Sequence, residues 1–239
     1  VEVMRTYTDW NCRLLHNMRD LTLRPKQAAE ALRALRDRCG FRDIYLTPEY
    51  DCELESVPMF LLRRDHALRE LRELLPQDCR VHAACCAVLR PGLSQTPALH
   101  RLRLPGTDCL PLRLPFLPDQ PGIPQELNRL LYHSRYRLLL MSFDSYAAFY
   151  PPEALERLIA LPHAVCQFGY QALVQPPMKK LLKALLSLRT PVLFGTGVNS
   201  LQKACHYEFD AYIRAASASF SESERETLFF RNSIPHIRS

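Results

Sequence analysis

Short β-rich runs separated by helix-period segments, seven times over, constrain this chain more than any single motif in it does. The runs occupy residues 6–9, 42–47, 80–89, 110–114, 137–141, 164–168 and 191–194. Pro25 opens a helix with Ala28, Leu32, Leu35 and Cys39 on one face, and Gly40 follows where a left-handed residue ends a helix. A second helix starts near Pro58, gathers Leu61, Leu68, Leu71 and Leu75 on one side, and stops at Pro76. Further helices are expected over 124–134, 152–161, 177–188 and 201–218. Ser221 with Glu224 three residues later is a capping box for a last helix that ends before Pro235.

Strands that alternate with helices pair in parallel, and right-handed crossovers lead to a barrel or to a doubly wound sheet. Neither G-x-G-x-x-G nor G-x-x-x-x-G-K-[ST] occurs, and 7 Gly leave little material for a phosphate-cradling loop. A barrel is therefore favoured. The Pro-rich passage 91–124 contains the strand LPLRLPF and lies between two regular units, so it reads as a long rim loop of one domain spanning 1–239.

Composition narrows the function classes. In 239 residues, 31 Lys and Arg against 25 Asp and Glu give +6, and the scattered arginines speak for solubility rather than nucleic-acid binding. Apolar stretches such as 138–141 are too short to span a bilayer, and no charged-then-apolar leader precedes residue 20, so a soluble cytoplasmic protein is expected. The nine cysteines show no C-x-x-C, and with an odd count and no leader they read as reduced, mostly buried thiols. The helix MKKLLKALLSLR sets Lys179, Lys180 and Lys183 opposite Leu181, Leu182, Leu185 and Leu188, a barrel helix with a solvated basic side.

In a barrel, functional groups belong at the carboxyl ends of the strands. Those ends read Asp9-Trp10-Asn11-Cys12-Arg13, Thr47-Pro48-Glu49-Tyr50, Cys85-Cys86, Ser142-Phe143-Asp144-Ser145-Tyr146 and Gly195-Thr196-Gly197-Val198-Asn199.

The stretches TDWNCRLLHNMRD, YLTPEYD, LRLPF, RLLLMSFDSY, VLFGTGVNS and RETLFFRNSIPHI, in this order and spacing, resemble the metal-dependent tyrosine phosphatases of bacterial capsule and exopolysaccharide operons. These are members of the polymerase-and-histidinol-phosphatase (PHP) superfamily. The resemblance implies a distorted (β/α)₇ TIM-like barrel, in line with the seven runs. It also implies where metal ligands would stand. The first-strand pair of histidines falls on Asn11 and Arg13, with the leading Asp9 kept; the histidine of T-P-H-Y falls on Glu49; a metal-bridging glutamate falls on Cys86; H-P-E-R-Y becomes a run beginning at Ser142; and the closing S-D-A-H places its acid on Gly197 and its histidine on Asn199. One family acid persists at Asp20. The family's substrates are the phosphotyrosine tails of polysaccharide-assembly kinases, so such a kinase is the partner the resemblance implies, and an oligomer is open.

These substitutions change the chemistry. Ions of the Mn²⁺, Fe or Zn²⁺ type need several neutral imidazoles and carboxylates converging at about 2.0 to 2.2 Å. Asn and Ser are weak ligands, Gly197 offers none, and Arg13 is a permanent cation. At about 4 Å and an effective dielectric near 20, a guanidinium repels a unit charge by on the order of 4 kcal/mol, and a divalent ion by twice that. No catalytic residue and no cofactor is expected; a Mn or Mg site built on the remaining acids Asp9, Asp20, Glu49 and Asp144 is the alternative. The eight histidines form no H-x-H, H-x-x-H or H-E-x-x-H that would replace the lost ligands.

Two readings of the altered mouth remain. Arg13 stands in for the lost metal charge and pairs with Asp20 or Glu49. Alternatively Arg13, with Asn11, Thr196 and Asn199 as donors, holds an anion without cleaving it. The leading expectation is a catalytically inactive, pseudophosphatase relative of the capsular enzymes. Its alternative is a divergent metal-dependent phosphoesterase of exopolysaccharide biosynthesis.

Overall fold

The computed structural model describes residues 6–18, 23–117, 120–134, 136–147 and 149–231. Its strands are β1 (Thr8–Cys12), β2 (Asp43–Leu46), β3 (Glu49–Tyr50), β4 (Arg80–Ala83), β5 (Cys86–Val88), β6 (Cys109–Arg113), β7 (Arg137–Leu140), β8 (Val165–Gly169) and β9 (Val192–Gly195). The helices are α1 (Pro25–Cys39), α2 (Val57–Leu74), α3 (Ile123–Asn128), α4 (Phe143–Tyr146), α5 (Pro152–Ile159), α6 (Pro176–Ser187), α7 (Leu201–Cys205), α8 (Phe209–Ser219) and α9 (Glu222–Glu226).

Every strand pairing is parallel, in two sheets ordered β1-β2-β4 and β3-β5-β6-β7-β8-β9. Pro48, which has no N–H, interrupts the path between β2 and β3, and Ala84-Cys85 interrupts it between β4 and β5. Backbone hydrogen bonds cross the breaks: Ala84 N–H donates to Leu46 O and Cys86 N–H to Pro48 O, both at 2.9 Å. The broken halves thus continue one another, which leaves seven strand paths. At the other seam, Gly197 N–H donates to Asn11 O at 2.7 Å and Arg13 N–H to Val198 O at 2.8 Å, so the last path runs beside the first.

The space between the strands is filled. Trp10, Tyr45, Ala84, Cys86, Leu104, Cys109, Leu139, Met141, Val165 and Leu193 form one buried cluster drawn from around the ring of strands. Trp10 stacks on Tyr45 at 4.4 Å and Tyr45 on His82 at 4.6 Å, a ladder of rings across β1, β2 and β4. The helices cover the outer faces with a second and larger apolar cluster. Because side chains alternate along a strand, the residues two positions beyond Tyr45, Leu139, Val165 and Leu193 form the next inward layer: Thr47, Met141, Gln167 and Gly195. That layer floors the mouth.

Several expectations need correction. The first strand runs two or three residues later than residues 6–9, because buried partners satisfy the polar side chains of Asp9 and Asn11 that would ordinarily mark a loop. The run 80–89 is two strands. The helix expected over 201–218 breaks at 206–208, where the chain turns to bury Phe209 against Tyr7, Phe41 and Tyr170 with ring centroids 4.8 to 5.0 Å apart. Leu188 faces solvent rather than the core. The capping box at Ser221 and Glu224 is present, and the end of the last helix at Pro235 lies outside the described residues. The rim passage 91–124 holds two short helical turns at 93–95 and 99–102 before β6. Among the described residues no helix is long and apolar enough to cross a membrane.

Candidate functional site at the strand ends

Asn11 is the hinge of the mouth. Its carboxamide Nδ2 donates to Gln167 Oε1 at 2.8 Å and to Ser142 Oγ at 3.2 Å, while its Oδ1 accepts from Thr47 Oγ1 at 2.6 Å. Gln167 Oε1 also accepts from Ser142 N–H at 2.8 Å, and Gln167 Nε2 donates to Phe168 O at 2.6 Å. The bond from Ser142 N–H steadies Ser142, which sits in the left-handed region with φ 53°. Asn11, Thr47 and Gln167 are buried, so each amide and hydroxyl group here is satisfied within the protein. Gly195 makes the approach of β9 feasible: a Cβ on it would stand 2.4 Å from Asn11 N and 2.5 Å from Asn11 Cβ.

Asp9 lies beneath this network and does not face the mouth. Its carboxyl accepts from Thr196 N–H at 2.8 Å, Thr196 Oγ1 at 2.7 Å and Asn11 N–H at 3.1 Å. Complete burial outweighs these three bonds and pushes its pKa up to about 7. Asp144 likewise turns inward, accepting from Gly169 N–H and Gln171 Nε2, each at 3.0 Å, and burial raises its pKa. Asp20 lies outside the described residues.

Among the described residues, Glu49 is the acid that lines the central cavity of the mouth. Arg13 Nη2 stands 2.8 Å from its Oε1, and Arg113 Nη1 contacts the same oxygen. The pairing of Arg13 with Glu49 is one of the two anticipated. The second arginine, from the run LPLRLPF, was not. Cys86 sits opposite Glu49 in register and is buried, and both burial and the nearby carboxylate push its thiol well above the ordinary range. It is a core thiol rather than a nucleophile. His16 is buried and bonded to Glu70 on α2 at 2.9 Å, a structural pairing.

Of the expected anion cradle, Arg13, Thr196 and Asn199 line one polar cavity with Ser145, Gln171 and Lys203, while Asn11 lines the neighbouring one. The Asn11 amide and the Thr196 hydroxyl donate within the protein. Gly197, at φ 63°, forms the exposed turn between Thr196 and Asn199. Sequence reasoning also missed Gln167 and Arg113. Each was visible as a lone polar residue inside an otherwise apolar strand, a placement that requires a partner.

The donor set does not fit a cluster of divalent ions. Asn11 and Thr196 are committed, Asp9 and Asp144 point into the protein, and among the described residues the carboxylate lining the central cavity, Glu49, is bracketed by two permanent cations. Among the described residues no three His, Cys, Asp or Glu side chains converge as a metal group.

The arrangement of strands and helices is similar to that of a solved structure from work on YwqE of Bacillus subtilis and CpsB of Streptococcus pneumoniae, unique metal-dependent tyrosine phosphatases, with a TM-score of 0.66, 18% identity and 95% of each chain covered. This chain has a PHP-like fold. Histidinol phosphate phosphatase of Lactococcus lactis aligns more loosely, with a TM-score of 0.49, 11% identity, and coverage of 88% of this chain and 93% of that one. No family profile matches the chain. No curated protein sequence matches it either. The PHP-like fold thus stands on the three-dimensional comparison. In the chain's own geometry Asn11, Arg13, Glu49, Cys86 and Ser142 line one cavity and Asn199 the adjoining one.

Proposed function

We propose that the chain is a non-hydrolytic member of the PHP-like phosphatase fold, one domain whose strand-end face binds a partner or ligand without cleaving it. The observation that carries this reading is Asn11. A side chain where the fold's resemblance implies a metal-binding imidazole has both amide hydrogens donated to Gln167 and Ser142 and its oxygen accepting from Thr47, so that an ion bound there would have to compete with this network for a neutral, weak ligand. Activation of water by a metal has no support from the donors that surround this point. Arg13 and Arg113 over Glu49 supply the positive charge in its place.

The resemblance to capsular tyrosine phosphatases makes a polysaccharide-assembly kinase with a phosphotyrosine tail the first partner to try, in a regulatory role. The reading is tested by hydrolysis of p-nitrophenyl phosphate and of a phosphotyrosine peptide with added Mn²⁺. No turnover above background is expected. Turnover that Glu49→Ala abolishes would instead establish the rival, a divergent metal-dependent phosphoesterase.

A further inference from the structure

Beside the satisfied Asn11 network lies a cavity of about 770 Å³, a size usual for a small-molecule site, and its polar groups are in the opposite condition. One wall is a single stretch of chain: the turn after β9, α7, the break at 206–208 and the first turn of α8. It contributes Asn199, Gln202, Lys203, His206 and Glu208, and Ser145 of α4 lines the same space. None of these six side chains has a hydrogen-bond or ion-pair partner among the described residues. Tyr207 and Tyr212 also line the cavity, and their rings meet edge to face with centroids 5.6 Å apart.

The mixture of groups selects the ligand. Asn199, Gln202, Ser145 and a neutral His206 each donate and accept, Lys203 only donates, and Glu208 only accepts. An anion would meet Glu208, a cation would meet Lys203, and an apolar ligand would cover all six groups without pairing them. Hydroxyl groups match such a lining, because each one both gives and takes a hydrogen bond. A tyrosine ring adds a flat apolar surface, which suits the C–H face of a pyranose better than an open-chain polyol. Among the described residues Val198 is the one aliphatic side chain in the lining, so the apolar side chains of a peptide find no pocket here.

We propose that this cavity binds a neutral saccharide, its hydroxyls bonded by Asn199, Gln202, Lys203 and Glu208 and one sugar ring laid against Tyr212. The saccharide site rests on the reading that the strand-end face holds a ligand without cleaving it. Lys203 and Glu208 balance one another, so recognition calls on no net charge.

The test screens the whole chain against an array of short neutral oligosaccharides of hexoses and N-acetylhexosamines, beside their phosphorylated and sulfated counterparts and a set of peptides. The strongest neutral binder then goes to isothermal titration calorimetry. A Kd tighter than about 1 mM is expected, and raising NaCl to about 0.5 M leaves it within about twofold. Asn199→Ala and Gln202→Ala each weaken binding about fivefold, the order of one hydrogen bond. Tyr212→Ala weakens it about tenfold, whereas Tyr212→Phe, which keeps the ring, changes it little. Lys203→Gln still donates and retains most of the affinity for a neutral ligand. Urea unfolding verifies that each variant is folded. Preference for a charged sugar or a peptide, loss of binding in high salt or on Lys203→Gln, or no neutral oligosaccharide bound would each overturn the proposal. Metal content and phosphatase assays on the same samples keep the two readings apart: metal-dependent turnover sinks the proposed function, whereas an inactive, metal-free chain that binds no neutral oligosaccharide sinks the saccharide site alone.

Discussion

Asp9 holds Thr196 twice, through its backbone N–H at 2.8 Å and its hydroxyl at 2.7 Å, and so clasps the first strand path to the last. The Thr196 hydroxyl oxygen accepts in turn from Val198 N–H at 3.2 Å, which sets the turn that carries Asn199. A buried polar pair thereby reinforces the two backbone hydrogen bonds that join the paths at this seam.

The clasp makes stability depend on pH with a definite sign. Asp9 ionises near 4 in an unfolded chain but at about 7 here, so between these values the folded state keeps a proton that the unfolded state has lost. Its contribution is complete below about pH 4 and is lost as pH rises through about 7, at a limiting slope of roughly 1.4 kcal/mol per pH unit. Asp9→Asn keeps the shape without titrating. Urea unfolding at pH 5, 6 and 7 is expected to show wild type losing ground to the variant as pH rises; a difference independent of pH would contradict this.

Closure at Gly195 is steric. A methyl there meets Asn11 backbone, which has no flexible end to move aside. Gly195→Ala is expected to cost about 3 kcal/mol or more in chemical denaturation, at the upper end of overpacking penalties. A loss under about 1 kcal/mol would show that β9 and β1 are not held this close.

The network around Asn11 is buried and shared. Asn11→Ala takes one of two donors from Gln167 Oε1, which keeps Ser142 N–H, and leaves the Thr47 hydroxyl only Cys12 O at 3.4 Å, at about 1–3 kcal/mol for that poorly satisfied group. Asn11→His, the change that would put an imidazole back, should destabilise rather than confer metal binding, because a neutral imidazole has one N–H where the Asn11 amide donates two bonds and accepts a third. Thermal shift with and without Mn²⁺ decides: a lower midpoint unmoved by the ion is expected, and a metal-dependent rise would refute the account.

Thiol reactivity should follow burial. Cys52 and Cys205 are partly exposed and the other seven cysteines are buried. Iodoacetamide at neutral pH is expected to label these two first and Cys86 only after unfolding, with peptide mass spectrometry as the readout. Early labelling of Cys86 would reopen its assignment as a core thiol.

Much of the fold was legible because its determinants are local. Pro25 and Gly40 bracket α1, and the left-handed Gly40 closes it with a hydrogen bond to Arg36 O. The capping box at Ser221 formed as its two residues dictate. What was not legible depends on contacts remote in sequence. Phe209 breaks a helix that its own neighbours would continue, because Tyr7, Phe41 and Tyr170 receive it. At the site, the positions of Asn11, Arg13 and Glu49 could be foreseen from strand ends, and the Arg13–Glu49 pair with them. The fate of their donors could not be, since it hangs on Gln167, 156 residues away from Asn11, and on Arg113, 64 residues away from Glu49.

The account stands most directly on metal stoichiometry. Protein purified from cells grown with supplementary Mn²⁺, then assayed by inductively coupled plasma mass spectrometry, is expected to carry well under one equivalent of Mn, Fe or Zn per chain. Two or more equivalents that fall away on Glu49→Gln would contradict it.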